Sequence, residues 1–202
     1  FTFPKQKVPD RLPIGKVDVI KTAPVSEMVA YYRAHYRPEA TTLVVVGDID
    51  PNAIEAKVKE LFTDWRNTNK PAPAVDYGTP EKRGLEAKIV VQPGASFELD
   101  LDWMYPYDNT ADVADVRKRD TVRRIALGIL NRRLTQISQG PNPPFQRAAV
   151  SRNNVYHSAE IAELAVTTKP EKWRDALIAA ETLRRQAVEF GVRQDEVDEA
   201  VT

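Results

Sequence analysis

The sequence lacks cysteine altogether and holds only two histidines among its 202 residues. Without cysteine there is no disulfide, no thiolate zinc site and no cysteine nucleophile, and the chain is compatible with either cytosol or periplasm. His35 and His157 lie far apart, and neither has a second histidine four residues away. No helical histidine pair can therefore bind zinc, and we predict neither catalytic residues nor metal ligands in this chain.

An excess charge, a long apolar run and a glycine-rich loop are missing as well. Lys+Arg and Asp+Glu both number 29, so no net charge favours nucleic acid or an anionic membrane. No apolar run approaches the roughly 20 residues of a membrane-spanning helix, and the N-terminal FTFPKQKVPDRLPIG lacks the apolar stretch of a signal peptide. The eight glycines never stand at the spacing of a phosphate-binding loop. We predict no nucleic-acid partner and no membrane span.

The first third of the chain predicts a helix, a strand and a second helix. Pro24 is placed to open a helix that must end before Pro38, because proline disfavours helical geometry in the residue preceding it. The run TLVVV at 42–46 is short, β-branched and apolar throughout, which predicts a strand buried on both faces. Asp50 predicts an N-cap for an amphipathic helix that begins at Pro51.

Prolines, glycines and the absence of periodicity mark residues 67–86 as a connector between residues 1–66 and 87–202. Beyond it, residues 97–103 (FELDLDW) alternate between apolar and acidic, which predicts a half-buried strand. The remaining predicted elements are strands at 88–92 and within 154–168, and helices at 112–139, from Pro170 to Gly191 and from Gln194. Strand pairs that alternate with helices predict a two-layer α+β fold, with a mainly antiparallel sheet packed on helices.

Three groups of polar residues are candidates for chemistry, and each has a structural alternative. His35 lies close to Tyr36, Asp48 and Asp50 in the sequence, but a histidine near a helix end more often packs or makes a single polar contact. The same holds for His157. Glu98, Asp100 and Asp102 share one face of a predicted strand, where they would hold a divalent cation or a basic peptide, or be simply solvated. We favour the solvated face.

The third group is a basic set on the predicted helix at 112–139. An acidic partner or nucleic acid would suit this surface, whereas the neutral net charge favours pairing with local acidic residues. The set comprises Arg117, Lys118, Arg119, Arg123, Arg124, Arg132 and Arg133. We favour the solvated and locally paired helix.

Several motifs in a fixed order resemble the pitrilysin/insulinase family of zinc metallopeptidases, in its C-terminal or "inactive" module. In the first third they are RLPIG (11–15), YYRAHYRPE (31–39) and TTLVVVGDIDPNAIEAKVKELFTDW (41–65). Further along they are ALGILNRRLTQ (126–136), PPF (143–145) and EFGVRQDEVDEA (189–200). The resemblance covers residues 11–202 and is to bacterial periplasmic members, so it implies a periplasmic location.

The resemblance implies repeated α+β units, like those of mitochondrial processing peptidase, that enclose a peptide chamber. Family members bind zinc through an inverted H-x-x-E-H helix and a downstream glutamate. This chain has no H-x-x-E-H, so its parent protein would hold the zinc upstream of Phe1. Active members also place an arginine and a tyrosine near the site, but the equivalent stretch RRLTQISQGPNPPFQRAA lacks that tyrosine.

These implications predict a non-catalytic structural and peptide-binding segment of a zinc metalloendopeptidase, with no substrate-binding residue assigned. Its partners would be polypeptide substrates and the remaining units of the peptidase or a homologous subunit. A zinc-less scaffold subunit of the same fold and an unrelated module that uses the basic helix are the alternatives. Residues 1–66 would close one unit and residues 87–202 open the next. One hypothesis is that strand 42–46 docks on the second unit's sheet in the isolated chain.

Overall fold

The computed structural model of the protein describes residues 1–201. The chain divides into two compact units. One unit comprises residues 11–76, and the other comprises residues 1–10 together with the chain from Tyr77 onward. We refer to them as the small unit and the large unit. None of the described helices is both long and apolar enough to cross a membrane.

The small unit contains three α-helices, and local signals in the sequence explain where they begin. They are α1 (Val17–Thr22), α2 (Val25–His35) and α3 (Pro51–Phe62). Pro24 is the N-cap of α2, and Asp50 caps α3 by accepting a hydrogen bond from the Asn52 backbone N–H at 2.9 Å. Such a cap satisfies one of the backbone donors that a helix start leaves open. The two predicted helices of this region are confirmed, while the short α1 was not predicted.

The predicted strands at 42–46 and 88–92 are wrong. Neither stretch pairs with another strand, and both lie open to solvent, with Val44 76%, Val46 90% and Ile89 89% exposed. The hypothesis that 42–46 docks on the second unit's sheet is therefore also wrong. A strand needs a neighbouring backbone to pair with, and a doubly apolar one needs cover on both faces. The described chain supplies neither to these two stretches.

Within the described residues, the large unit holds a three-stranded sheet and three α-helices. In chain order they are β1 (Glu98–Tyr105), α4 (Ala114–Ser138), β2 (Arg147–Val155), β3 (Ala159–Thr167), α5 (Trp173–Phe190) and α6 (Gln194–Val201). The central strand is β3, and β1 and β2 pair with it on either side in antiparallel register. The α+β prediction with an antiparallel sheet packed on helices is confirmed.

The hairpin that joins β2 to β3 differs from the prediction in its extent. The predicted strand region 154–168 contains β3, but β2 starts at Arg147, where alanines and polar residues make a weak strand pattern. The turn carries Tyr156 and His157 at φ 49° and 58°. Three residues, 156–158, join the two strands, and two successive positive φ values usually select glycine, asparagine or aspartate in a hairpin turn, so the sequence gives no local signal of this turn.

The core of the large unit lies between the sheet and two helices. Leu134 of α4 and Ala176 and Ala180 of α5 are fully buried against the sheet. The strand residues of this cluster alternate along each strand and so share one face of the sheet: Leu99, Leu101, Trp103, Ala148, Val150, Leu164 and Val166. Both helices therefore cover the same face, and the opposite face, which we call the open face, carries none of the core.

Side chains of α4 hold the outer strand and the last helix in place. Asn131 donates to the Val150 carbonyl at 3.0 Å and accepts from its N–H at 2.8 Å, so an amide side chain satisfies backbone groups on the outer edge of β2. An edge protected in this way is a poor template for another strand. Arg133 binds both carboxylate oxygens of Glu196 and joins α4 to α6.

Candidate functional site

His35 ends α2 and is engaged within its own helix. Its ring stacks on that of Tyr31 at a centroid distance of 4.0 Å, and its Nδ1 lies 2.9 Å from the Tyr31 carbonyl oxygen. A parallel stack joins Tyr32 to Tyr36 one position further on. These i, i+4 pairs follow from helix geometry, and the arrangement has the character of local packing.

His157 belongs to the hairpin turn of the large unit. Its ring stacks on Tyr107 at 4.6 Å and meets Tyr77 edge-on at 6.0 Å. Its backbone N–H donates to the Asn154 side chain at 2.9 Å, which helps to hold the left-handed turn. Within residues 1–201, no group of three histidine, cysteine or carboxylate side chains is arranged to hold a metal ion. The residues present therefore do not fit a zinc site.

The three acidic residues of β1 point to the open face, and the structure adds a fourth that sequence reasoning missed. Glu163 of β3 stands directly opposite Asp102 in the antiparallel register. Opposite residues in neighbouring strands lie about 5 Å apart at Cβ, so the four carboxylates form one patch. The signal for Glu163 was available only after strand pairing was known, because it lies about 60 residues further along the chain than Glu98, Asp100 and Asp102.

The surroundings of this patch disfavour the ionised form of its aspartates. Partial burial, followed by the neighbouring carboxylates Glu98, Glu163 and Asp102, raises the pKa of Asp100. Burial and Glu163 raise the pKa of Asp102 in the same way. Glu163 accepts only a hydroxyl hydrogen bond from Ser151 at 3.2 Å. Like charges that are not compensated disfavour the ionised form.

The basic set on α4, by contrast, is largely neutralised. Five of its seven members form ion pairs with acidic side chains: Arg117 with Asp112, Arg119 with Asp108 and Asp120, Arg123 with Asp120, Arg132 with Glu199, and Arg133 with Glu196. This pairing supports the preference for a solvated helix with local partners. It leaves little free positive charge for nucleic acid or an acidic protein.

Arg37 has a role that sequence reasoning missed. This buried guanidinium donates to the carbonyl of Asn69 at 2.7 Å and pairs with Glu39, while Asn67 donates to the Arg33 carbonyl at 2.6 Å. Together these bonds attach the connector to the end of α2. The Tyr-Arg-Pro segment at 36–38 thus does more than end α2, because Arg37 also fixes the connector, and this role is structural.

A family model described as the peptidase M16 inactive domain matches residues 24–202 of the chain. Among curated relatives, a zinc protease PQQL-like protein of Arabidopsis thaliana is 26% identical over 147 residues, 72% of this chain and 15% of its own length. The probable zinc protease PqqL of Haemophilus influenzae is 25% identical over 130 residues, 62% of this chain and 14% of its own length. The chain thus spans only about one seventh of these relatives.

Solved structures share the fold at low sequence identity. The first half of the periplasmic protease PqqL from Escherichia coli matches 98% of this chain and 42% of its own, with a TM-score of 0.73 and 17% identity. The ferredoxin protease FusC, solved in complex with Arabidopsis ferredoxin, matches 96% of this chain and 22% of its own, with a TM-score of 0.67 and 16% identity. Both likenesses concern the fold alone.

Proposed function

The chain belongs to the peptidase M16 inactive-domain family, within a family of zinc proteases, and from this premise we infer that it is a non-catalytic structural and peptide-binding segment of a zinc-dependent metalloendopeptidase. The peptidase would hydrolyse polypeptides inside a closed chamber. The segment itself would contribute part of the chamber wall and a peptide-binding surface. We assign it no catalytic role, because its two histidines are occupied by local packing and lie in different units. Zinc would be bound by ligands outside these 202 residues.

The observation that carries the proposal is the open face of the sheet. Two helices cover one face of β1, β3 and β2, while the other face bears acidic and other polar side chains together with Met104, Ala149, Ile161 and Ala165, and none of the core cluster. A sheet in a self-sufficient two-layer domain can expose one face to water. In the proposed chamber wall the helices would lie outside, and the open face of the sheet would lie toward the enclosed polypeptide.

The small unit supports the division of the chain between two peptidase units. Residues 1–66 would close a preceding unit, and residues 87–202 would open the next unit. This assignment accounts for the apolar, β-branched stretch 42–46, which has no pairing partner among the described residues. A periplasmic location for the protein is part of the proposal.

The test compares this 202-residue chain with a longer protein from the same gene that includes the preceding segment. We expect the chain alone to bind unfolded polypeptide, to cleave none and to hold no stoichiometric zinc, whereas the longer protein cleaves peptides and holds about one zinc ion. Zinc analysis and a quenched-fluorescence peptide assay on both provide the readout. One zinc bound by the chain alone would contradict the proposal.

The upstream sequence separates this proposal from the zinc-less scaffold subunit. An H-x-x-E-H followed by a downstream glutamate supports the peptidase. If neither motif is present and the longer protein neither binds zinc nor cleaves peptide, the chain is part of a scaffold subunit of the same fold.

A further inference from the structure

Residues 1–10, which we call the arm, lie on the large unit although they precede the small unit in the sequence. Two side chains of the arm are buried there, Gln6 at 5% exposure and Val8 at 8%. At the surface, Lys5 forms an ion pair with Glu81. The arm is thus attached to the large unit by two buried side chains and by polar contacts that remain open to solvent.

Two stretches of the chain meet at Ser158, a buried residue at the end of the turn between β2 and β3. The Gln6 amide donates to the Ser158 carbonyl oxygen at 2.9 Å, and the Ser158 hydroxyl donates to the Tyr77 carbonyl oxygen at 3.4 Å. A Cβ added at Gly78 would lie 3.3 Å from the Gln6 Cγ, so the arm and the connector are in close contact. The stretches of chain before and after the small unit are therefore held together at Ser158.

The turn that contains Ser158 depends on contacts from outside the hairpin. Tyr156 and His157 both have positive φ values, which bulky side chains adopt only where surrounding contacts impose them. The His157 ring is held by its stack on Tyr107. The hydrogen bond from Gln6 to the Ser158 carbonyl adds a contact that the arm supplies. Docking of the arm and the geometry of the turn should therefore stabilise each other.

The docked arm also has an unfavourable feature. The Gln6 side-chain oxygen Oε1 is buried and has no hydrogen-bond partner among residues 1–201, and an acceptor that loses its water without a replacement destabilises the docked form. The ion pair of Lys5 with Glu81 compensates little, because the lysine side chain is 80% exposed. The favourable burial of Val8 is therefore partly offset, and we expect release of the arm to cost much less than unfolding of the core.

We propose that the arm is a strap that releases from the large unit while the core stays folded. In its docked form it holds the left-handed turn between β2 and β3 and keeps the two ends of the segment 11–76 together at Ser158. In its released form it frees the turn and these two ends. In the longer protein that we propose, the segment preceding the arm would act on the turn through it, but the strap itself does not depend on that proposal.

The first experiment uses the absence of cysteine, because a single introduced thiol then reports the exposure of one position. Three variants of the 202-residue chain are compared: Val8→Cys in the arm, Val122→Cys on the exposed surface of α4, and Val166→Cys in the core. The rate of reaction with a thiol reagent is measured in native buffer, and circular dichroism verifies that each variant folds. We expect Val8→Cys to react about tenfold more slowly than Val122→Cys and at least about tenfold faster than Val166→Cys, because release of the arm is a local opening.

Either extreme of the Val8→Cys rate would overturn the proposal. A rate equal to that of Val122→Cys would show that the arm is not docked. A rate equal to that of Val166→Cys would show that the arm is released only when the core unfolds. Hydrogen exchange of β3 in the unaltered chain gives a second measure of core opening, which replaces Val166→Cys if that variant does not fold.

The second experiment tests whether the arm holds the turn, by hydrogen exchange of residues 155–159 read with mass spectrometry. Val8→Ala removes buried atoms from the arm and should speed exchange in the turn about threefold to tenfold. The matched control Val122→Ala removes the same atoms from an exposed position and should leave this exchange unchanged. Exchange in the turn that stays at the value of the unaltered chain in Val8→Ala, or that rises equally in both variants, would contradict the coupling between arm and turn.

Discussion

The two units of the chain differ in what stabilises them. The large unit contains all the buried apolar side chains of the described chain, among them Leu134, Leu164 and Val166 at 0% exposure. In the small unit, no apolar side chain of the described residues is buried, although its helices α1 and α2 carry apolar and aromatic residues. One unit has its own core, and the other has secondary structure without one.

The difference shows which secondary structure elements form from local sequence signals alone. A helix satisfies its backbone hydrogen bonds internally, so a proline, an Asp50 cap and a periodic sequence suffice to place α2 and α3. A strand has no such internal partner. The apolar stretch 42–46 consequently stays without a strand neighbour, while β1, β2 and β3 form where an antiparallel partner and a helical layer are both present.

The largest expected effect is the loss of a core side chain in the large unit. Leu164 lies on the central strand at 0% exposure, and Leu164→Ala removes apolar contacts and leaves a cavity. We expect a loss of about 3 kcal/mol in the free energy of unfolding, measured by urea denaturation followed through tryptophan fluorescence. Trp103 packs against this core and reports on it.

The matched substitution in the small unit is Leu43→Ala, at a side chain that is 55% exposed. It should change the free energy of unfolding by less than about 0.5 kcal/mol. A loss as large as that of Leu164→Ala would contradict the comparison, because it would show that the stretch 42–46 is buried in solution.

The second prediction concerns the one buried side chain of the small unit. Arg37→Met removes the donors that bind the Asn69 carbonyl and the Asn67 carbonyl and leaves these groups unpaired. We expect a local cost of about 1–3 kcal/mol and faster proteolytic cleavage within residues 67–76. Limited proteolysis with mass spectrometry measures the cleavage.

The control for Arg37→Met is Arg33→Met, on the same helix. Its side chain takes no part in the bonds that attach the connector, to which Arg33 contributes only its backbone carbonyl. Equal cleavage in both variants would show that loss of a charge from this region, rather than loss of the Arg37 contacts, loosens the connector.

Sequence patterns predicted the long helix α4, the strand β1, the helices α2, α3 and α5 and the α+β class, because each has a strong local period or cap. They failed where partners decide the outcome. The stretches 42–46 and 88–92 have strong strand patterns and no neighbour, and β2 has a weak pattern and forms because β3 pairs with it. Three of the four members of the acidic patch were predictable from the period-two spacing in β1, whereas Glu163 joined it only through the register.

The third prediction tests how the large unit holds its last helix. Hydrogen bonds from the Arg133 side chain and from the Arg193 backbone lower the pKa of Glu196 to about 2 from its ordinary 4.5. A carboxylate whose folded-state pKa is lowered stabilises the fold fully above its ordinary pKa and loses that contribution as pH falls through the folded value. We expect the stability of the α4–α6 contact to decline between about pH 4.5 and pH 2.

The measurement is hydrogen exchange of α6 at a series of pH values, corrected for the intrinsic exchange rate. Glu196→Gln should remove this part of the pH dependence and expose α6 to exchange at neutral pH. Glu189→Gln, on the outer part of α5, serves as the control and should leave the profile unchanged. A profile that is the same in Glu196→Gln and in the unaltered chain would contradict the assignment of α6's stability to this carboxylate.

The smallest expected effect concerns the open face, where the substitution should increase the stability of the fold instead of decreasing it. The pKa values of Asp100 and Asp102 are raised by partial burial and by neighbouring carboxylates, so ionisation of these groups costs stability at neutral pH. Asp100→Asn with Asp102→Asn should therefore raise the Tm by about 1–2 °C, a value discounted for solvent screening of exposed charges.

Calorimetry at neutral pH measures the gain, which should vanish at pH 3, where both aspartates of the unaltered chain are protonated. A lower Tm in the double variant would mean that these carboxylates stabilise the isolated chain. A higher one would mean that the chain keeps a destabilising charge pattern that only a ligand or another part of the protein can compensate.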